Sequence, residues 1–139
     1  MNLHTDSFNI STKGHTDILD ITEQLQQILN RAALSEGQLT VFVAGSTAGI
    51  TSIEYEPGLL QDLPAAFEKF APTGVVYHHD ATWGDGNGYA HVRAALLGPS
   101  FSAPFQNSTL LLGTWQQIVL IDFDNRPRQR QLIVQLFGC

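Results

Sequence analysis

The segment from Tyr77 to Arg93 carries the densest chemistry in the chain. His78, His79, Asp80, Asp85, Asn87 and His91 are interleaved there with three glycines, and three of the chain's 5 histidines fall within it. Neutral imidazole and carboxylate are ordinary ligands for first-row metals. A loop histidine and a helical one a dozen residues on can meet around one ion if the glycines fold the loop back. The same groups can exchange protons near neutral pH with no metal at all. His79 is preferred to His78, because adjacent side chains rarely enter one site together. The competing reading is that Asp85 and Asn87 only build a turn and cap a helix, with the histidines on a polar surface. Metalloprotease and zinc-finger spacings are absent, and His4 and His15 stand alone.

Four other groupings bear on chemistry. Gly45-Ser46-Thr47-Ala48-Gly49 can offer backbone N–H groups and hydroxyls to an anion, although it lacks the lysine of a P-loop and equally suits a plain strand connection. Glu54 and Glu56 share one face of an expected strand, so either is a third ligand, a general base or a solvated glutamate. Gly113-Thr114-Trp115-Gln116 brings together a hydroxyl, an indole and an amide, with Trp115 expected in the core. Arg126, Arg128 and Arg130 form the one basic cluster. Arg128 and Arg130 share a strand face, as either an anion clamp or a charged strand edge.

The elements that must position these groups read as follows. Phe8-Asn9-Ile10 belongs to a first short strand, and Asp17 to Ile21 is a second strand or an extended lead-in. Thr22 caps a helix with Leu25, Ile28, Leu29, Ala32 and Ala33 at helical spacing, and Gly37 supplies the stop. Leu39 to Ala44 is a buried strand, and Ile50 to Glu56 suits its partner. A second helix runs from Gly58 to Phe70, with Pro64 in or near its early turns. Asn87 N-caps a short third helix that holds His91 and ends at Gly98-Pro99. Strands follow at Phe101 to Phe105, Leu110 to Leu112, Trp115 to Phe123 and Arg128 to Phe137, turning at Gln106-Asn107-Ser108 and Asp124-Asn125. Helices early and an antiparallel meander late predict one α+β domain over residues 1–139, with an antiparallel or mixed sheet core and a few short helices.

Composition narrows the function classes. A chain of 139 residues, 43% hydrophobic, suffices for a core without disulfides. A net charge of −6 argues against nucleic acid and anionic membrane as partners. The single cysteine is Cys139, and no apolar run reaches the length of a membrane helix, so the expected location is the cytoplasm.

Ser46-Thr47-Ala48-Gly49-Ile50-Thr51, Glu54, Asp62-Leu63, Tyr77, His79-Asp80, Asp85, Asn87, His91, Leu97-Gly98-Pro99-Ser100 and Gly113-Thr114-Trp115-Gln116, in this order, resemble the YjbQ-like family. The resemblance runs over nearly the whole chain. It implies a small α+β domain assembled as a homotrimer, with sites near subunit boundaries. It also implies a weak thiamine-phosphate synthase activity that joins a pyrimidine pyrophosphate to a thiazole phosphate, and a divalent metal, zinc first, held through histidines. Carried onto this chain, His79 and His91 are the matching histidines and Asp85 the matching acid. Many relatives place a further histidine where this chain has Gly45. The metal site is then left to His79, His91 and Asp85, with Glu54 or a neighbouring subunit as a further source of ligands.

Two functions therefore stand open. In the first, an enzyme binds a small phosphorylated molecule or anion through Ser46, Thr47, Asn87, Thr114, Gln116 and Arg128, while His79, Asp85, His91 and Glu54 carry catalysis, with or without metal. In the second, a non-catalytic trimer retains a metal, anion or metabolite in the same place.

Overall fold

The computed structural model describes residues 1–139. Eight strands and four helices follow in the order β1 (Asn2–Thr12), β2 (Asp17–Asp20), α1 (Thr22–Ala32), β3 (Glu36–Val43), β4 (Ala48–Ile53), α2 (Pro57–Phe70), α3 (His78–Trp83), α4 (Gly88–Leu97), β5 (Ser100–Gln106), β6 (Thr109–Leu110), β7 (Gln117–Asp122) and β8 (Arg128–Gly138). Every strand pairing is antiparallel. One sheet has the order β1-β8-β3-β5-β6 and the other β2-β7-β4, so the α+β class and the antiparallel core are as expected.

Alternation explains the larger sheet. Along β8, Arg130, Leu132, Val134 and Leu136 point inward while Gln129, Gln131, Gln135 and Phe137 point out. Of these, Leu132, Val134 and Leu136 join Leu39, Val41 and Val43 of β3, Ile118 and Leu120 of β7, and Leu25, Ile28 and Leu29 of α1 in the main core. β7 lies at the centre of the smaller sheet, which is why Ile118-Val119-Leu120-Ile121 is apolar on both faces. A second cluster, with Phe67, Tyr89, Ala90, Ala94 and Phe123, fastens α2 and α4 to the other face of that sheet.

Several expectations need correction. The Ile50 segment does not pair with the Leu39 strand; β4 pairs with β7 in the other sheet. The late strands are not a meander, because β8 enters between β1 and β3 while β7 leaves for the smaller sheet. β6 is only Thr109–Leu110. Thr22 is not the cap of α1. Ile21 holds that position, and the Thr22 hydroxyl accepts from the Ile118 N–H while Asp20 accepts from the Thr22 N–H. α1 stops at Ala33, in a left-handed conformation at φ 55°, and Gly37 lies inside β3. Pro57 opens α2 at its first position, and Pro64 sits mid-helix, where it removes one backbone donor. The short helix α3 had no periodic signal. Glu54 and Glu56 fall beyond β4, and the Glu56 carboxylate caps α2 by accepting from the Gly58 and Leu59 N–H groups. Trp115 is 70% exposed rather than in the core.

Candidate functional site

α3 and α4 bring the two predicted histidines together. The ring centroids of His79 and His91 lie 4.1 Å apart, with the planes tilted by 43°. Two contacts fix the helices in this arrangement. The Asp80 carboxylate accepts from the Gly88 N–H at 2.9 Å, linking α3 to the first turn of α4. At the other end of α4, Gly98 O accepts from the Ile50 N–H at 3.0 Å, with Gly49 directly beneath Leu97. A Cβ at Gly49 would stand 2.7 Å from the Leu97 side chain, so only glycine lets α4 approach β4 this closely.

Across from the histidines lies a lattice of charge. Asp122, at the end of β7, is fully buried and accepts from Arg130 Nε at 2.7 Å and Arg130 Nη2 at 2.9 Å. Thr12 and the Asp124 N–H also donate to it. Asp124 is likewise fully buried, and accepts from Thr47 Oγ1 at 3.0 Å, Arg128 Nε at 2.8 Å, Asn87 Nδ2 at 3.2 Å and the Asn125 N–H at 2.8 Å. Burial alone would push the Asp124 carboxyl up. The donors from Asn125, Asn87, Arg128 and Thr47 outweigh it and bring the group down to about 2. Arg130 Nη2 closes the lattice with a 2.6 Å bond to Thr47 Oγ1. The charged-edge reading therefore fails for Arg130, which is only 7% exposed.

Between the histidines and this lattice opens a cavity of about 400 Å³, lined by Gly45, Ser46, Thr47, His79, Trp83, Asp85, Asn87, His91, Arg128 and Arg130. The Gly45-Ser46-Thr47 loop is pinned from both sides: the Ala44 N–H donates to Gln131 O, and the Phe123 N–H donates to Thr47 O. Its own three N–H groups make no hydrogen bond within the chain. Arg130 Nη1 also makes none, and it stands 2.7 Å from where a Gly45 Cβ would be. Amides without a partner in the chain and an anchored guanidinium are groups that can bond to an oxyanion.

The histidine side is built differently. His79 Nε2 is buried and without a hydrogen-bond partner, its nearest carboxylate oxygen being Asp85 Oδ1 at 3.5 Å, outside bonding geometry. Burial, and after it the neighbouring His79, lowers the His91 pKa below the ordinary 6.5, which keeps that ring neutral at physiological pH. Asn87 stands at the N-cap position of α4, yet its side chain makes no capping bond. It turns to Asp124 instead, leaving Oδ1 buried and unpartnered. The donor set fits a divalent ion in its chemistry, two imidazoles and one carboxylate around an unpaired Nε2, although no three His, Cys, Asp or Glu side chains converge into a metal cluster within the chain.

The predicted residues thus divide. Ser46, Thr47, His79, Asp85, Asn87, His91 and Arg128 line one cavity. Glu54, Thr114 and Gln116 line a separate groove of about 440 Å³ with Ser52, Ile53, Gly113 and Trp115. There Gln116 accepts from the Gly113 N–H and donates to Ser52 Oγ. The two places lie at opposite ends of β4, about 17 Å apart along the strand. The sequence reading missed Asp122 and Asp124 as anchors, and Trp83 as a wall. A carboxylate ending a run as apolar as Ile118 to Ile121 is the signal that marks Asp122, since a buried charge needs a partner.

Similar proteins agree with this architecture. A family model described as UPF0047 protein YjbQ-like matches residues 6–139. A UPF0047 protein of Archaeoglobus fulgidus is 36% identical over 126 residues, covering 91% of this chain and 95% of that protein. One from Methanothermobacter thermautotrophicus is 34% identical over 138 residues, covering 99% and 94%. The crystal structure of a YbjQ-like protein from Sulfolobus solfataricus superposes with a TM-score of 0.94 at 31% identity, covering 99% of both chains. With a match of this extent in sequence and in fold, the chain belongs to the YjbQ-like UPF0047 family.

Proposed function

We propose that the cavity binds a small phosphorylated molecule, its oxyanion held by the Gly45-Ser46-Thr47 amides and by Arg130 and Arg128, with His79 and His91 as proton carriers beside it. The observation that carries this reading is the free Nη1 of a buried Arg130, whose other nitrogens are locked by Asp122 and Thr47. A guanidinium fixed on one side and open on the other is organised before the ligand arrives, so little is lost in ordering it. His91, neutral at pH 7, is suited to accept a proton and return it to a leaving oxygen.

In the metal form of this proposal His79 and His91, with Asp85 beside them, would hold a divalent ion, zinc first, instead of carrying protons. The unpaired Nε2 of His79 supports it. When bound, such an ion supplies positive charge for a phosphate or pyrophosphate leaving group. The thiamine-phosphate synthase reaction is the specific form of this chemistry, and it rests on the family resemblance. A homotrimer is proposed on the same resemblance, with one supporting observation. The outward residues of β1, β8 and β3 from Gln38 to Phe42 carry no charge, and Leu3, Phe42 and Phe137 stand exposed among them.

The test is calorimetric titration with inorganic phosphate and pyrophosphate, joined to elemental analysis and an assay of pyrophosphate release from the pyrimidine and thiazole substrates. Saturable phosphate binding that Arg130→Lys weakens, and turnover that His91→Ala abolishes, are expected. Absence of any phosphate binding refutes the anion site. Binding without turnover leaves the non-catalytic trimer as the function.

A further inference from the structure

A second cavity, of about 410 Å³, adjoins the first and shares Gly45, Ser46 and His91 with it. Its remaining walls are Ala48, Ala94, Ala95 and Pro99, and no lysine, arginine, aspartate or glutamate reaches it. His91, Ala94 and Ala95 lie at i, i+3 and i+4 on α4, so one helix face carries an imidazole at the boundary and two bare methyl groups beyond it. The small residues leave the space open; any longer side chain at Ala95 would project into it. A charged group placed there would lose water and gain no partner, whereas an uncharged one loses little.

From this juxtaposition we infer that the ligand is a phosphate ester whose esterified group is compact, uncharged and largely apolar, and that Ala95 sets the size of that group. The phosphate occupies the arginine side and the organic group the alanine side, with His91 alongside the bond that joins them. The inference rests on the proposed anion site and adds to it the chemical class of the ligand.

Inorganic phosphate, methyl phosphate and phenyl phosphate are the probes, titrated into the full chain and into Ala95→Leu. Ala95 is exposed and helical, and leucine keeps helix propensity, so the substitution spares the fold. The expected result is phenyl phosphate binding about tenfold more tightly than methyl phosphate to the unaltered chain. In Ala95→Leu that advantage disappears while inorganic phosphate binding stays within about twofold. Equal affinity for the two esters in the unaltered chain overturns the inference without need of the variant. An advantage that survives Ala95→Leu also overturns it and places the ring against Trp83. Failure of inorganic phosphate to bind at all is a different outcome, overturning the anion site itself.

Discussion

Asp124→Asn is the perturbation that reads the charge lattice most directly. The replacement keeps the shape of the side chain and removes the charge toward which Thr47, Asn87, Arg128 and the Asn125 N–H all point. With the folded carboxyl at about 2 against an ordinary 3.8, its ionised form is favoured by about 2 kcal/mol in the folded state, at 1.36 kcal/mol per pH unit. The sign follows from the depressed value. The stabilisation is complete above the unfolded value of 3.8 and is lost as pH falls through the folded value near 2. Urea denaturation of both proteins at a series of pH values isolates this one group, because every other carboxylate titrates in both. The expected difference is about 2 kcal/mol at pH 7, falling to about half of that at pH 3. A difference below about 0.5 kcal/mol at pH 7, or one that does not shrink on acidification, would show that the Asp124 charge is not what holds the lattice.

Further outcomes are expected elsewhere in the molecule. Gly45→Ala places a methyl group 2.7 Å from Arg130 Nη1, so it should displace the guanidinium and weaken phosphate binding about tenfold, and lower Tm as well because Arg130 also holds the buried Asp122; calorimetry and a melting curve check both. The His91 ring should titrate below 6.5 in an NMR pH series. Because its folded value is lowered, stability from the neutral ring is present above 6.5 and falls as pH drops through the folded value. Arg93→Ala removes a side chain 3% exposed that donates to Ala71 O, Thr16 Oγ1 and Glu68 Oε2, and should cost about 3 kcal/mol in urea denaturation. A loss under about 1 kcal/mol would mean that water replaces those partners.

Local pattern carried much of the fold. The helical stripe of Leu25, Ile28 and Leu29 and the alternation along Arg128 to Phe137 were visible because each is a periodicity within one element. Which strand pairs with which was not visible. β4 has no property that prefers β3 to β7, and the choice is made by burial in the assembled core. The cavity was legible from His79, Asp85, Asn87 and His91 because they are close in sequence, and from Ser46, Thr47 and Arg128 because polar groups cluster there. Glu54, Thr114 and Gln116 carry similar chemistry, but position along β4 separates them, and position is a property of the fold. Asp124 read as a turn residue, which it also is; its second role depends on Asn87 and Thr47, far away in sequence.

The pairing of β1 with β8 sets Asn2 opposite Gly138, so the longest ladder of the larger sheet joins the two ends of the chain. Such a ladder closes a very long loop, and folds dominated by contacts of that separation are slow to form. On the ribosome, residues 1–127 have no β8 to fill the gap between β1 and β3, and the inward faces of those strands stay wet. Arg128 and Arg130 arrive on that same final strand. The strand that fills the gap in the larger sheet is also the one that delivers the guanidinium groups, so a nascent chain gains the arginine wall of the cavity only as that sheet closes.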